Sequence, residues 1–505
     1  MTRIDLSTPA AARRFLDTKL TQRQVNKVLH SFPSPRFWKG GTGTPLEARP
    51  PGTDAPTCEL YVGLPFCLTT EPAHCGYCLF PTEAYRHQDQ LDVYLDYLAR
   101  EGELYRERWT ALQPRSIFIG GGTPNLLKVH QYPRLLGLIH DLLPSLPAAT
   151  PITLEGIPQL FSLEKLEVMQ AHGVTRISMG AQQLDHQLSL LSGRKQQPRH
   201  VFQAVEWAAQ LGLGCNVDLI FGWPQQTLAH LERDLRDLMA SGVEHITHYE
   251  LNVGGMTDFA LNRRDELPGP ELVRDMYHLA RDLLTAGGYE QLTPYDFQKQ
   301  ASQKRDDQNR TEGFIYEECR RSFEAHDVWG WGYAAISDFP DHRSPGHHSS
   351  DRAAQNGGST FMNARTLSAY YAALDAGRLP AEVGYTRTPA DLRLSLLFRN
   401  LQSLSVDRAS YRANFGQDVL EEFPGIWQAA ADLGFISVQD DSIRLTPEGA
   451  YRVPLIQTAL MASRVEELTE AHMAALKQAA SVQAGAEATA GQPLQPLSSH
   501  PAALS

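Results

Sequence analysis

From residue 58 to about residue 251, short apolar runs alternate with longer stretches of helical periodicity. The runs Glu59–Leu64, Ser116–Ile119, Ile152–Leu154, Thr175–Met179, Asn216–Phe221 and His245–Leu251 have the length and bulk of buried strands. Between them, Leu91, Leu95 and Leu98 mark one helical face. Tyr132–Leu143, Leu163–His172, His200–Leu211 and Leu228–Ala240 also read as helices, and Gly173 and Gly242 follow two of them as stop signals. Six βα units in series predict a parallel sheet covered by helices, an α/β fold of the partial (β/α)6 barrel type. In such barrels chemistry gathers at the C-terminal strand ends. The unusual polar and glycine motifs of this chain fall at those ends.

The flanking sequence divides differently. Residues 1–57 combine an amphipathic stretch near Ala11–Leu29 with a Pro/Gly-rich segment, which reads as an N-terminal arm and linker. Residues 58–260 form the barrel. Residues 261–387 read as an irregular extension covering the substrate side, with Gly/Trp/His-rich stretches at Trp329–Tyr333 and Gly346–His348. Residues 388–472 predict a small helical domain closed by a hairpin at Gly434–Asp441 and Ile443–Gly449, a winged-helix pattern. Residues 473–505 are rich in Ala, Gln, Pro and Ser and read as a disordered tail.

Composition narrows the class. Of 505 residues, 42% are hydrophobic and 21% charged, enough for cored domains, and the net charge of −12 argues against a nucleic-acid surface. No apolar run is long enough to span a membrane, and the start Met-Thr-Arg-Ile-Asp-Leu lacks a signal-peptide core. Six cysteines, three of them clustered, fit a reducing cytoplasm better than a disulfide framework. A cytoplasmic protein without membrane or nucleic-acid partners is expected.

The cluster is Cys67-Leu-Thr-Thr-Glu-Pro-Ala-His-Cys75-Gly-Tyr-Cys78, directly after the first strand. Structural zinc takes four protein ligands, whereas three thiolates suit an iron–sulfur cluster with one open iron. Zinc on these cysteines with His74, or a redox dithiol at Cys75 and Cys78, are the alternatives. Gly120-Gly-Gly-Thr-Pro124 follows the second strand; its glycines permit close approach of a ligand, or make only a tight turn. Glu155, Gln182, Arg194 and Asp218 lie at or just beyond strand ends, where an acid suits ribose hydroxyls and where helix capping is the plainer explanation. Tyr61 and Tyr77 are candidate walls for an adenine ring, or core aromatics. The His347-His348 pair reads as a surface loop.

In order and register, several segments resemble the HemN-type branch of the radical S-adenosylmethionine (SAM) superfamily. They are Tyr61–Cys67, Cys75–Cys78, Gly120–Pro124, Leu154–Pro158, Arg176–Gln182, Leu191–Arg194, Asn216–Pro224 and Trp331–Ser337. The resemblance implies a radical SAM barrel with a C-terminal helical/winged-helix-like domain, and a [4Fe–4S] cluster on Cys67, Cys75 and Cys78. It implies SAM on the open iron, cleaved by one-electron reduction to a hydrogen-abstracting 5′-deoxyadenosyl radical. Tyr61, Tyr77, Gly121 and Glu155 would contact this SAM, with Ile336 near it. Gly122, Thr123, Gln182, Arg194 and Asp218 would hold a second. A flavodoxin- or ferredoxin-type protein would supply the electron, and the substrate would be a small molecule.

The departures sharpen the expectation. The first two cysteines are separated by seven residues where the family has three, and Phe80 stands where the oxidase usually has a further cysteine. Gln308-Asn309-Arg310 replaces the heme chaperone's motif. These differences point to a specialised relative of oxygen-independent coproporphyrinogen III oxidase acting on a tetrapyrrole or another small molecule. Alternatives are a two-SAM methyltransferase or cyclopropanase, a heme-binding chaperone, or a zinc-stabilised barrel. Glu317, Glu318 and Cys319 are candidates for proton chemistry with substrate, or residues of a solvated helix.

Overall fold

The computed structural model describes residues 4–24, 32–52, 58–299, 326–341 and 357–490, with side chains to 477. Glu317, Glu318, Cys319, Gln308–Arg310 and His347-His348 lie outside the described residues. A twelve-stranded sheet dominates. Its strands in chain order are β1 (Cys58–Leu64), β2 (Pro114–Gly121), β3 (Ile152–Gly156), β4 (Arg176–Gln182), β5 (Gly214–Phe221) and β6 (His245–Glu250). They continue with β7 (Tyr289–Gln291), β8 (Asp296–Lys299), β9 (Asp327–Gly332), β10 (Ile336–Pro340), β11 (Gly358–Asn363) and β12 (Ala381–Thr386). The sheet order is β12-β11-β10-β9-β1-β2-β3-β4-β5-β6-β8-β7. The six predicted strands are there, parallel and in sequence order.

The predicted helices follow their strands, and their ends show why. Ser162 Oγ accepts the Lys165 N–H at 3.3 Å and opens Leu163–Ala171. Gly212, at φ +69°, closes Pro198–Leu211. Those caps satisfy main-chain groups that the helix itself leaves unpaired. One continuous apolar core fills the space beneath the helices, from Leu60 and Val62 through Ile119, Leu154, Ile177 and Val217.

Among the described residues, the region expected to be irregular contributes six strands to the sheet. Asp327–Gly332 is a seventh parallel strand beside β1, and β10, β11 and β12 extend that edge antiparallel. At the other edge β8 and β7 run antiparallel, after a helix at Pro270–Ala286. The glycines that suggested a loop serve close packing instead. A Cβ on Gly332, at φ +100°, would sit 2.4 Å from Gly63 O, and one on Gly330 would sit 2.6 Å from the Ile336 main chain. Trp329 and Trp331 are core residues, and Trp331 Nε1 donates to Leu98 O at 2.9 Å.

Towards the C-terminus, Ser405–Asp407, Ser442–Leu445 and Ile436–Val438 form a three-stranded antiparallel sheet among short helices, the expected wing. The helix Val453–Ala490 runs through the boundary at residue 472 and eighteen residues into the segment expected as tail. Alanine and glutamine are good helix formers, so a sequence too polar for a core still continues a helix. At the other end, Pro9–Leu20 packs on Pro424–Asp432, burying Ala12 and Leu16. Arg23 Nη2 then donates to Gly222 O at 3.0 Å and Gln24 Nε2 to Glu250 Oε2 at 3.2 Å. The arm thus touches the C-terminal ends of β5 and β6. Beyond it, Arg49 pairs with Asp327 at 2.8 Å, at the opposite end of β9. Among the described residues no helix is long and apolar enough to cross a membrane.

One buried acid ties the extra sheet edge to the barrel. Glu101 accepts Gly332 N–H at 2.9 Å, Tyr370 OH at 2.6 Å and Asn363 Nδ2 at 2.7 Å. Burial nevertheless outweighs these donors and pushes its carboxyl up to about 7. Unfolded glutamate titrates near about 4.3. Between the two values the folded chain holds a proton that the unfolded chain lacks. Stability from this group is therefore full below about pH 4.3 and is lost as pH rises through the folded value. We expect thermal melts between pH 5 and 8 to fall less steeply for Glu101→Gln than for the wild type. Its lost Asn363 bond leaves the variant less stable at pH 5, by about 1 kcal/mol. Equal slopes would remove Glu101 as the source.

Candidate active site

Past Leu64 the chain turns into a loop anchored at both ends. Phe66–Cys67 pairs in parallel with Glu83–Ala84, and Tyr85 N–H donates to Cys67 O at 2.8 Å. Within the loop, His74, Cys75 and Gly76 are all left-handed, at φ 52°, 54° and 70°. This conformation costs a non-glycine residue roughly 1–2 kcal/mol and is kept where surroundings enforce it. Here Thr70 Oγ1 accepts Cys75 N–H at 2.9 Å, and His74 O accepts Cys78 N–H at 3.1 Å. Cys67, Cys75 and Cys78 are half-buried and close together, with Cys75 acting electrostatically on both of the others. Burial pushes the Cys67 thiol up and the Cys78 thiol up to about 11, each against the pull of Arg194. Thr123 Oγ1 donates to Cys67 Sγ at 3.4 Å.

The ring of His74 faces Thr82 Oγ1 at 3.1 Å on the exposed side. Among the described residues no three His, Cys, Asp or Glu side chains surround a point where one ion would sit. An iron–sulfur cubane binds each thiolate to a different iron, so its ligands stand wider apart than those of one zinc ion. Three neighbouring thiols without a fourth ligand therefore fit a cluster with a free iron better than zinc.

The glycine loop is zipped to the cysteine strand. Gly122 N–H donates to Leu64 O and Thr123 N–H to Phe66 O, both at 2.7 Å. A Cβ on Gly122 would lie 2.5 Å from Phe66 O. Gly121, at φ +106°, turns its N–H to Glu155. A Cβ on Gly120 would be 2.7 Å from Glu155 Oε2, so the carboxylate lies over the loop. These N–H groups are engaged within the protein. The glycines supply closeness of approach, and Glu155 supplies the charge. Burial pushes Glu155 up to about 8, reinforced by Asp218 and opposed by Gly121 and Arg194.

Arg194 is the hub. Its Nη1 donates to Gly180 O at 2.6 Å and lies 3.3 Å from Gln196 Oε1. The guanidinium lies beside Cys75, Cys67 and Tyr77 and interacts electrostatically with each. Gln182 sits at φ 67° on a register shift of β4 against β5, and its Nε2 would be 2.8 Å from a Cβ on Gly180. Asp218 accepts Asn216 Nδ2 at 2.7 Å and Ser178 Oγ at 3.4 Å; burial raises it to about 6. Tyr61 stacks on Phe118, centroids 6.1 Å apart, beside Glu155. Tyr77 packs edge-on against Trp223 at 4.9 Å and near Phe259 at 6.0 Å. Ile336 is partly exposed, with its main chain against Gly330. The structure thus gathers Cys67, Cys75, Cys78, Tyr61, Tyr77, Gly121, Gly122, Thr123, Glu155, Gln182, Arg194 and Asp218 at one strand-end face.

Sequence reasoning missed the floor beneath them. Arg176 Nη2 meets His245 Nδ1 at 3.1 Å, His245 Nε2 lies 3.4 Å from Asp296 Oδ1, and Thr247 Oγ1 lies 2.8 Å from the same carboxylate oxygen. The alternation Arg176-x-Ser178, Asn216-x-Asp218 and His245-x-Thr247 was the available signal: polar residues on one face of three adjacent central strands.

The family model of the Radical SAM superfamily matches residues 67–238. The chain is 26% identical over 396 residues to the heme chaperone HemW of Bacillus subtilis, covering 77% of this chain and 95% of that one. It is also 26% identical over 411 residues to the oxygen-independent coproporphyrinogen III oxidase of Synechocystis, covering 77% and 82%. Two further relatives align over 47% of this chain and 61% of their own length. In fold it is similar to the Escherichia coli coproporphyrinogen III oxidase HemN, with a TM-score of 0.71 at 22% identity over 86% of this chain and 96% of that one. The cofactors of the superfamily are a [4Fe–4S] cluster and SAM, which the three-thiol loop and its charged surroundings fit. Residues 67–238 thus carry a Radical SAM domain, and over most of its length the chain is similar to the HemN-type branch of that superfamily.

Proposed function

We propose that this protein is a radical SAM enzyme that abstracts hydrogen from a tetrapyrrole or another specialised small molecule, in the manner of its oxidase relative. The observation that carries the reading is the meeting of three unpaired thiols with Arg194, Glu155 and Asp218 at one set of strand ends. Cys67, Cys75 and Cys78 would hold the cluster. The cluster and SAM together supply one-electron reductive cleavage and a carbon-centred radical. Everything else falls to the chain's own residues.

Glu155 would receive the amino group of SAM. A carboxyl raised by burial regains its charge when a cation is brought beside it. The bare backbone at Gly121 would let this SAM lie close, and Gly122 and Thr123 would border the second. Tyr61 and Tyr77 wall the site with aromatic surface, and Ile336 adds an apolar edge. Arg194, Gln182 and Asp218 form a second polar set suited to another SAM. Arg194 also steadies the thiolates, as a buried cation beside them favours their ionised form. The electron would come from a flavodoxin- or ferredoxin-type donor in the cytoplasm. Glu317, Glu318 and Cys319 remain candidates for substrate proton chemistry.

A second reading, heme carriage, is favoured by the alignment with HemW over 95% of that protein's length. The deciding experiment is mass spectrometry of SAM-derived products from the reduced anaerobic protein, with and without coproporphyrinogen III. 5′-Deoxyadenosine that rises with the porphyrinogen, together with carbon dioxide, supports the oxidase-like reading. S-Adenosylhomocysteine would identify methyl transfer. Stoichiometric heme binding without substrate-stimulated SAM cleavage would identify the carrier.

The lengthened cysteine loop makes its own test. A Cβ on Gly193, at φ +72°, would sit 2.4 Å from Glu71 O and 2.8 Å from Glu71 N. The extra residues are therefore seated on the turn that carries Arg194. Gly193→Ala should displace Cys75 and lower iron bound per chain several-fold after anaerobic reconstitution. Gly137→Ala, with nothing within 4 Å of the added carbon, should leave iron unchanged. Full iron loading in the Gly193 variant would separate the loop from cluster binding.

A further inference from the structure

We propose that Asn125 is a positioning residue of the cofactor site: its side-chain amide clamps the Glu155–Ile157 turn to the glycine loop and so fixes Glu155 for SAM. The proposal rests on the assignment of Glu155 to SAM made above.

Asn125 follows the Gly120–Pro124 loop and is fully buried. Its Nδ2 donates to Ile157 O at 2.9 Å, and its Oδ1 accepts Ile157 N–H at 3.1 Å. One side chain thereby satisfies both main-chain groups of one residue, as a neighbouring strand would. The substitution matters because of where the β2–β3 ladder stops. The pairing runs Ile117↔Ile152, Phe118↔Thr153 and Ile119↔Leu154 and goes no further. Glu155 is the next residue. On its other side the β3–β4 ladder continues through Glu155↔Ser178 and Gly156↔Met179. Asn125 thus joins the main chain of this turn to the glycine loop beyond the last ladder pair, where Gly121 reaches only the Glu155 side chain.

Two neighbours are fitted to the clamp. Gly156 lies between Glu155 and Ile157, and a Cβ there would meet the amide carbon, nitrogen and oxygen of Asn125 at 2.3, 2.5 and 2.7 Å. Lys165 Nζ donates to Asn125 O at 2.7 Å and to Leu160 O at 3.0 Å, holding the main chain of the clamp from behind. Only a planar side chain with one donor and one acceptor makes the pair. Aspartate loses the donor and sets a carboxylate against Ile157 O, and alanine removes the acceptor of Ile157 N–H and leaves Ile157 O only the Leu160 N–H, at 3.2 Å.

The test is equilibrium SAM binding to anaerobically reconstituted full-length protein, with iron content and melting temperature measured alongside. Asn125→Ala and Gly156→Ala should each weaken SAM binding tenfold or more, with iron within a fifth of wild type and the melt shifted by no more than a few degrees. In the double variant the added methyl occupies the space the amide has left. The double variant should therefore bind no worse than Asn125→Ala alone, the non-additivity expected of groups acting through one contact. Binding within twofold of wild type in Asn125→Ala, or additive losses in the double variant, would overturn the role of Asn125. So would a melt that collapses in proportion to the lost affinity. Cluster-loaded wild type that binds no SAM would overturn the functional reading and this proposal together, whereas tight wild-type binding with an unaffected Asn125→Ala overturns the proposal alone.

Discussion

Two main-chain hydrogen bonds just past the end of β1 set the geometry on which the site depends. Leu64 O and Phe66 O accept from Gly122 and Thr123, so the cysteine strand and the glycine loop advance together beyond the regular sheet. Cys67 is thereby fixed opposite the Thr123 hydroxyl. Gly121 is left in a left-handed turn whose N–H points to Glu155 rather than back into the sheet. Any residue with a Cβ at Gly122 would collide with Phe66 O and undo the register. A glycine motif that resembles a ligand cradle is first of all a weld between two loops.

That weld concentrates charge in a place that disfavours it. Glu155 and Asp218 are partly buried carboxyls pushed up to about 8 and about 6, and Arg194 is a partly buried guanidinium among thiols. Burial of charge is unfavourable unless partners meet it. The partners here are partial: Gly121 for Glu155, Asn216 and Ser178 for Asp218, Gly180 O and Gln196 for Arg194. Beneath them lies a deeper layer in which Arg176, His245, Asp296 and Thr247 meet one another.

How much of this is written in the sequence depends on what kind of contact each residue makes. The six parallel strands and their helices were legible because burial and periodicity are local properties of the chain. The cysteine loop and Glu155 stood out because each lies at the end of a strand, where barrel chemistry is expected, and Asp218 because it is an acid carried within one. Trp329–Gly332 was not, because its glycines answer to Gly63 and Ile336 in neighbouring strands rather than to a turn. Asn125 and Glu101 were invisible for a related reason. Each is a single polar residue in an unremarkable context, and its importance lies in the backbone or side-chain groups it meets far along the chain. Sequence pattern reports which residues want to be buried; it does not report which buried amide will replace a missing ladder.

The long gap between Cys67 and Cys75 is the feature that most separates this chain from its family's spacing. A longer loop costs little closure entropy, since that cost grows only with the logarithm of length. What it puts at risk is precision, because each added residue is another freedom between two of the three clustered cysteines. The protein removes that freedom at both levels. Locally, Thr70 holds the Cys75 amide, and consecutive left-handed residues make the turn sharp. In the tertiary structure, the added segment rests on Gly193, whose neighbour Arg194 reaches back to Cys75. The insertion is thus carried by the same turn that presents the site's central cation. Loop length and cluster geometry become one packing problem, and its solution lies in the β4 connection rather than in the loop alone.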